Sequence, residues 1–205
     1  MLIHFDFFHL LIGVGLLCFL LPFLWLQKRS LSFLVFFSVF WFYLLAVVAV
    51  VIFPITVNTL SDNTVFTPSI NLIPFDFGSC FSLAILCMRS IFENIALTIP
   101  FGFGMNFLAK IKPRSLYWLA LSIGFVFELT QLGVSLVLRS GFRAFDINDV
   151  ILNGTGVLVG FALFRLFAWL FTRVANQFDF KSNWLLARIH DVVVQAQVAG
   201  RSKGG

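Results

Sequence analysis

Charge is the scarcest thing in this chain. Only 11% of its 205 residues are Asp, Glu, Lys or Arg, against 60% that are hydrophobic, and the mean hydropathy is +1.00. A soluble domain carries about 25% charged and about 45–50% apolar residues. This apolar excess cannot be hidden in one water-soluble core, which excludes a soluble enzyme or binding module and points to an integral membrane protein. Histidine is also rare: His4, His9 and His190 are far apart, so no metal site can be assembled and none is expected. Cys18, Cys80 and Cys87 offer no disulfide framework, and they read as small buried apolar side chains. There is no phosphate-binding Gly-rich loop after a strand, no Ser/His/Asp or Cys/His set at membrane-compatible positions, and no sequence repeat. No cofactor is expected. The 14 Lys and Arg residues outnumber the 9 acidic ones, but they stand at the ends of apolar runs and line no soluble face, so a nucleic-acid partner is excluded.

What the chain does have is long apolar runs. Spanning a bilayer takes about 20 predominantly apolar residues. Five runs qualify, at about 7–26, 31–53, 90–109, 115–136 and 149–172. The first lacks a basic segment before it and is read as a retained helix, not a signal peptide. The piece Phe81–Met88 is too short to span and reads as an interfacial or re-entrant segment. Pro100, inside the third run, should kink it. After 174 the chain turns more polar. Leu185, Ile189, Val192 and Val193 recur there at helical spacing beside Trp184 and Arg188, as in an amphipathic interfacial helix. The last residues, GRSKGG, read as disordered.

Orientation follows from Lys and Arg placement. One side holds Lys28, Arg29, Lys110, Lys112, Arg114, Arg173, Lys181, Arg188, Arg201 and Lys203; the other holds Arg89, Arg139 and Arg143. The richer side is expected to be cytoplasmic. The expected fold is therefore an all-α five-helix transmembrane bundle in a cell membrane, with its N-terminus outside and a cytoplasmic amphipathic tail over 175–205.

That topology sends the polar groups to one place. Glu93 and Asn94 fall in the outer third of the third span. Glu128 and Gln131, three apart on one helix face, fall at or above mid-membrane on the fourth. Arg143 and Asp146 lie in the outer loop, and Asp149 and Asn153 on the first turns of the fifth span. Asp146 or Asn148 could cap that helix, and Asp149 would favour its positive end. Arg143 could pair with the loop aspartates or with Glu128. A carboxylate well inside a span is costly unless it is neutral, paired or hydrated, so Glu128 is a functional candidate. Gly156 and Gly160, four apart, let helices approach closely, and Gly124 reads the same way.

Five pieces stand in order: NLIPF at Asn71–Phe75, NIALTIPFG at Asn94–Gly102, ELTQ at Glu128–Gln131, RAFDIND at Arg143–Asp149 and NGTG at Asn153–Gly156. Their order and spacing over about 71–165 resemble the VanZ-like family of bacterial membrane proteins. Met105 and Asn106 depart from the family pattern, which often has a second Pro there. The loop before Arg143 is also longer. The resemblance implies a multi-pass protein of the bacterial cell envelope with a VanZ-like domain over 1–174. It also implies a link to resistance against teicoplanin-type glycopeptides, drugs that act on lipid-linked cell-wall precursor at the outer membrane face. The site expected from the residues is an outward polar cleft. In it Arg143 would take phosphate, Asn94, Gln131, Asp146 and Asn153 would bind the polar group of a lipid or lipid-linked glycan, and Pro100, Gly102, Gly156 and Gly160 would shape the helices. The alternative is an intramembrane enzyme with Glu128 and Asp149 as an acid/base pair. Oligomeric state cannot be read from the sequence.

Overall fold

The computed structural model describes residues 2–56, 69–77, 84–138, 145–175 and 184–201. Six helices occur among them: α1 (Phe7–Leu26), α2 (Leu31–Val51), α3 (Ala84–Leu108), α4 (Pro113–Leu138), α5 (Ile147–Ala175) and α6 (Trp184–Arg201). The first five are long and apolar enough to cross a membrane. Asp6 caps α1 by accepting from the Phe8 and His9 N–H groups, and Ser30 caps α2 through Phe33 N–H. Lys28 takes a left-handed conformation (φ 58°) in the tight reversal between these two helices.

Two short strand pairs tie helix ends together. β1 (Leu2–Ile3) pairs antiparallel with β2 (Ile55–Thr56), and β3 (Ile70–Asn71) pairs parallel with β4 (Phe145–Asp146). The starts of α1, α3 and α5 and the ends of α2 and α4 therefore share one end of the bundle. The α1–α2 and α3–α4 turns lie at the other.

α5 is the central helix, with Val157 and Phe164 fully enclosed. Glycine makes this possible. A Cβ at Gly102 would strike the Val157 carbonyl. One at Gly156 would strike the Ile95 carbonyl and Thr98, and one at Gly160 the Ile99 carbonyl. α3 and α5 thus touch backbone to backbone. On the far side of α5, Gly124 of α4 sits against the Val150 carbonyl. Without a hydrophobic drive between helices in lipid, such close packing is what holds spans together. Toward the opposite end rings pack between the helices: Phe107 lies on Phe36 and on Phe164, with centroids 4.6 and 5.4 Å apart. Pro100 stands inside α3 without ending it. The Leu97 carbonyl nearby accepts from the Tyr43 hydroxyl of α2 at 2.7 Å.

Several expectations are corrected. Residues 84–88 are no separate short segment: α3 runs unbroken from Ala84, while 81–83 lie outside the described residues. The reason is the pair Arg89–Glu93, 2.6 Å apart and one turn apart on an exposed face, which lets the helix carry charge through its first turns. Glu93 consequently faces away from the other polar groups. α2 ends at Val51, short of 53, and α5 starts at Ile147. Cys18 is exposed, because α1 packs only through its Gly13 and Leu17 side; the Cys80 and Cys87 side chains lie outside the described residues. Helix α6 continues through Gly200 and Arg201. Its apolar face does not lie only against lipid: Val192 packs on Phe107 and Phe164, with Ile189 beside them.

Candidate functional site

The polar site is built from the end of the bundle inward. Its outer layer is the segment 69–77. The Asn71 amide donates to the Asp76 carbonyl at 3.0 Å and to Asp146 Oδ1 at 3.2 Å, and Asn71 Oδ1 accepts from Ile73 N–H. Phe75 sits at φ 65°, and its N–H donates to Asn148 Oδ1 at 2.6 Å. Asn148 returns its own amide to the Asp76 carbonyl at 2.8 Å. The NLIPF stretch is thus held down by side chains from the start of α5.

Asp146 is the hub of the next layer. Its Oδ1 accepts from Asn148 N–H at 2.8 Å, which makes Asp146 the N-cap of α5 and settles the choice between it and Asn148. Its own N–H donates to Glu128 Oε2 at 2.9 Å. Glu128 is 1% exposed, so this carboxylate sits inside the bundle and ties β4 to α4.

The innermost layer joins α3 to α5. Asn94 donates to Asp149 Oδ1 at 2.6 Å, and the Thr98 hydroxyl donates to the Asn153 carbonyl at 2.7 Å. Asn153 donates its amide to the Asp149 carbonyl at 2.8 Å, which fixes which of its side-chain ends is oxygen. Asn153 Oδ1 is buried and has no hydrogen-bond partner among the described residues.

Five expected site residues, Asn94, Glu128, Asp146, Asp149 and Asn153, therefore come together at one end of α3, α4 and α5. Gln131 lies one turn beyond Glu128, half-buried and outside this hydrogen-bonded set. Arg143 lies outside the described residues. Sequence reasoning assigned no site role to Thr98, Asn71 or Asp76, and gave Asn148 only a cap. The spacing Asn94–Thr98, four apart like Asp149–Asn153, was the available signal: two polar pairs at helical repeat on facing spans.

Asn148→Ala should lower stability by about 1–3 kcal/mol, since it strands the part-buried Phe75 N–H, while the Asp76 carbonyl keeps its bond from Asn71. Denaturation of the purified protein in detergent would measure it. Thr98→Val should cost about 1 kcal/mol by the same assay, because one enclosed hydrogen bond goes with little change in volume.

These features define the class: a multi-pass α-helical membrane protein in which most of the buried polar groups among the described residues collect at one end of three packed spans. More narrowly, the chain belongs to the VanZ/LLP1 family, whose model matches residues 40–168, more than half of it. Over 127 residues it is 31% identical to Protein VanZ of Enterococcus faecium, a stretch that covers 60% of this chain and 70% of that one. The family match runs from the middle of α2 to the last turns of α5 and contains every residue of the polar site. No solved structure matches the chain.

Proposed function

We propose that this protein sits in the bacterial cytoplasmic membrane with the polar site facing outward, where it engages the headgroup of a lipid or a lipid-linked envelope component. The observation that carries this reading is Asn153 Oδ1. It is a buried acceptor with no partner among the described residues, at the meeting point of three spans. Buried polar atoms are nearly always satisfied, so an exception asks for a donor from elsewhere, such as a hydroxyl or ammonium of a headgroup. The outward orientation is supported by the ten Lys and Arg residues assigned to the opposite side. Arg143, two positions before β4 in the sequence, would supply the charge for a phosphate. A ligand of this kind gives a route by which the protein would alter susceptibility to teicoplanin-type glycopeptides.

Native mass spectrometry of the purified protein tests this reading. The expected result is a co-purifying lipid that Arg143→Ala and Asn153→Ala each release. A lipid complement unchanged in both variants overturns the headgroup site. The exposed Ile73, replaced by cysteine, is expected to react with an impermeant maleimide on intact cells. Labelling only after the membrane is opened overturns the orientation.

A further inference from the structure

At the opposite end of the bundle, α1 and α2 splay apart around an apolar groove of about 730 Å³. Leu21, Pro22 and Trp25 of α1 and Leu34, Val35 and Phe42 of α2 are among its walls. The one hydroxyl in the lining, Ser38, is already used, donating to the Leu34 carbonyl at 2.9 Å. Nothing in the groove calls for a polar occupant.

Its length and the charges on the adjoining turn identify the occupant. Its α2 wall runs from Leu31 to Phe42, about 17 Å at 1.5 Å per residue. That is close to half of the roughly 30 Å hydrocarbon core, the depth of one leaflet. At the inner end of this wall the two helices close: Trp41 Nε1 donates to the Gly13 carbonyl at 2.9 Å, and Leu45 packs on Gly13. A transmembrane partner helix would have to run past this closure, whereas an acyl chain ends there. The turn that joins the two walls, between Leu26 and Leu31, carries Lys28 and Arg29, both exposed, with the Arg29 guanidinium 5.0 Å above the Phe33 ring. From Phe7 to Leu60 the sequence holds no acidic residue to neutralise them.

We propose that this groove is a binding site for an anionic glycerophospholipid, with one acyl chain between α1 and α2 and its phosphate at Lys28 and Arg29. The site is separate from the polar cluster and does not depend on the reading given to it.

Native mass spectrometry of the full-length protein in detergent, titrated with phosphatidylglycerol and with phosphatidylcholine of the same chains, tests it. Phosphatidylglycerol is expected to bind more tightly. The double variant Lys28→Gln/Arg29→Gln should weaken it about 25-fold, from the usual contribution of two interfacial cations, and weaken phosphatidylcholine, whose choline offsets its phosphate, by much less. Lys28→Arg/Arg29→Lys should keep the preference, and Val35→Trp, which fills the groove, should weaken both lipids. Unchanged phosphatidylglycerol binding in the charge-neutral variant overturns the proposal. So does a Val35→Trp variant that binds like the wild type, or a dimer that Val35→Trp splits into monomers.

Discussion

Gly160→Ala and Gly156→Ala are each expected to lower the stability of the bundle by about 3 kcal/mol or more, at the upper end of what overpacking costs in a close-packed interior. The added methyl would meet the Ile99 carbonyl in the first case and the Ile95 carbonyl with Thr98 in the second. In each case a backbone carbonyl is in the way, and it cannot rotate aside as a side chain could. α3 and α5 would have to separate, losing dispersion contacts along the interface, and dispersion is the main attraction between spans in lipid. At Gly156 the shift also disturbs the bond from Thr98 to the Asn153 carbonyl, so the polar site should loosen with the core. Gly15 and Gly133 serve as controls, since a Cβ at either meets nothing within 4 Å. Alanine there should change stability by no more than about 0.5 kcal/mol. Thermal melting in one detergent separates the two groups. If Gly160→Ala melts with the wild type, the backbone contact is not what holds these helices.

Glu128→Leu is expected to cost about 1–3 kcal/mol, the range for stranding the buried donor of a lost hydrogen bond. The stranded donor is the Asp146 N–H, at the point where β4 turns into α5. The effect should spread outward, because Asp146 in turn holds Asn71 and Asn148, and Asn148 holds Phe75. Hydrogen exchange should therefore speed up at Phe75 and Phe145 as well as at Asp146. Glu128→Gln keeps an acceptor oxygen within reach of that N–H and should retain most of the stability. A Gln variant that melts like the wild type but no longer holds its co-purifying lipid would give Glu128 a role in the ligand site beyond anchoring β4. A Leu variant with wild-type stability and exchange would remove the anchoring role.

Much of this was legible in the residues, and the parts that were not have physical causes. Helix α1 coincides with the apolar run at 7–26, which Gln27 and Lys28 close in the sequence, while its Asp6 cap emerged only in the structure. α3 begins earlier than the expected span of about 90–109, at Ala84, and Arg89 and Glu93 stand in its first turns. One turn apart on an exposed face they are a helix-stabilising pair, and only the formed helix reveals that. Gly156 and Gly160 advertised close packing by their spacing. The partner they accommodate, the backbone of α3 at Ile95 and Ile99, could not be named from sequence.

Composition and periodicity by themselves determined that the chain is a membrane protein of five spans, and the ordered motifs over 71–165 its kinship with the VanZ/LLP1 family. They also placed the polar residues at one end, since hydropathy and helix length are local properties and alternate spans must reverse direction. The tertiary structure alone decided who bonds to whom. It made Asp146 the cap and hub, gave the Glu128 carboxylate to a backbone N–H, joined Asn94 to Asp149 across two helices, and left Asn153 Oδ1 without a partner among the described residues. The reason is that, the local cap aside, the contacts of the site join residues 18 to 75 positions apart. Their geometry depends on how closely α3, α4 and α5 approach, and that is set by glycines packed against the backbones of neighbouring helices rather than by anything within a single span.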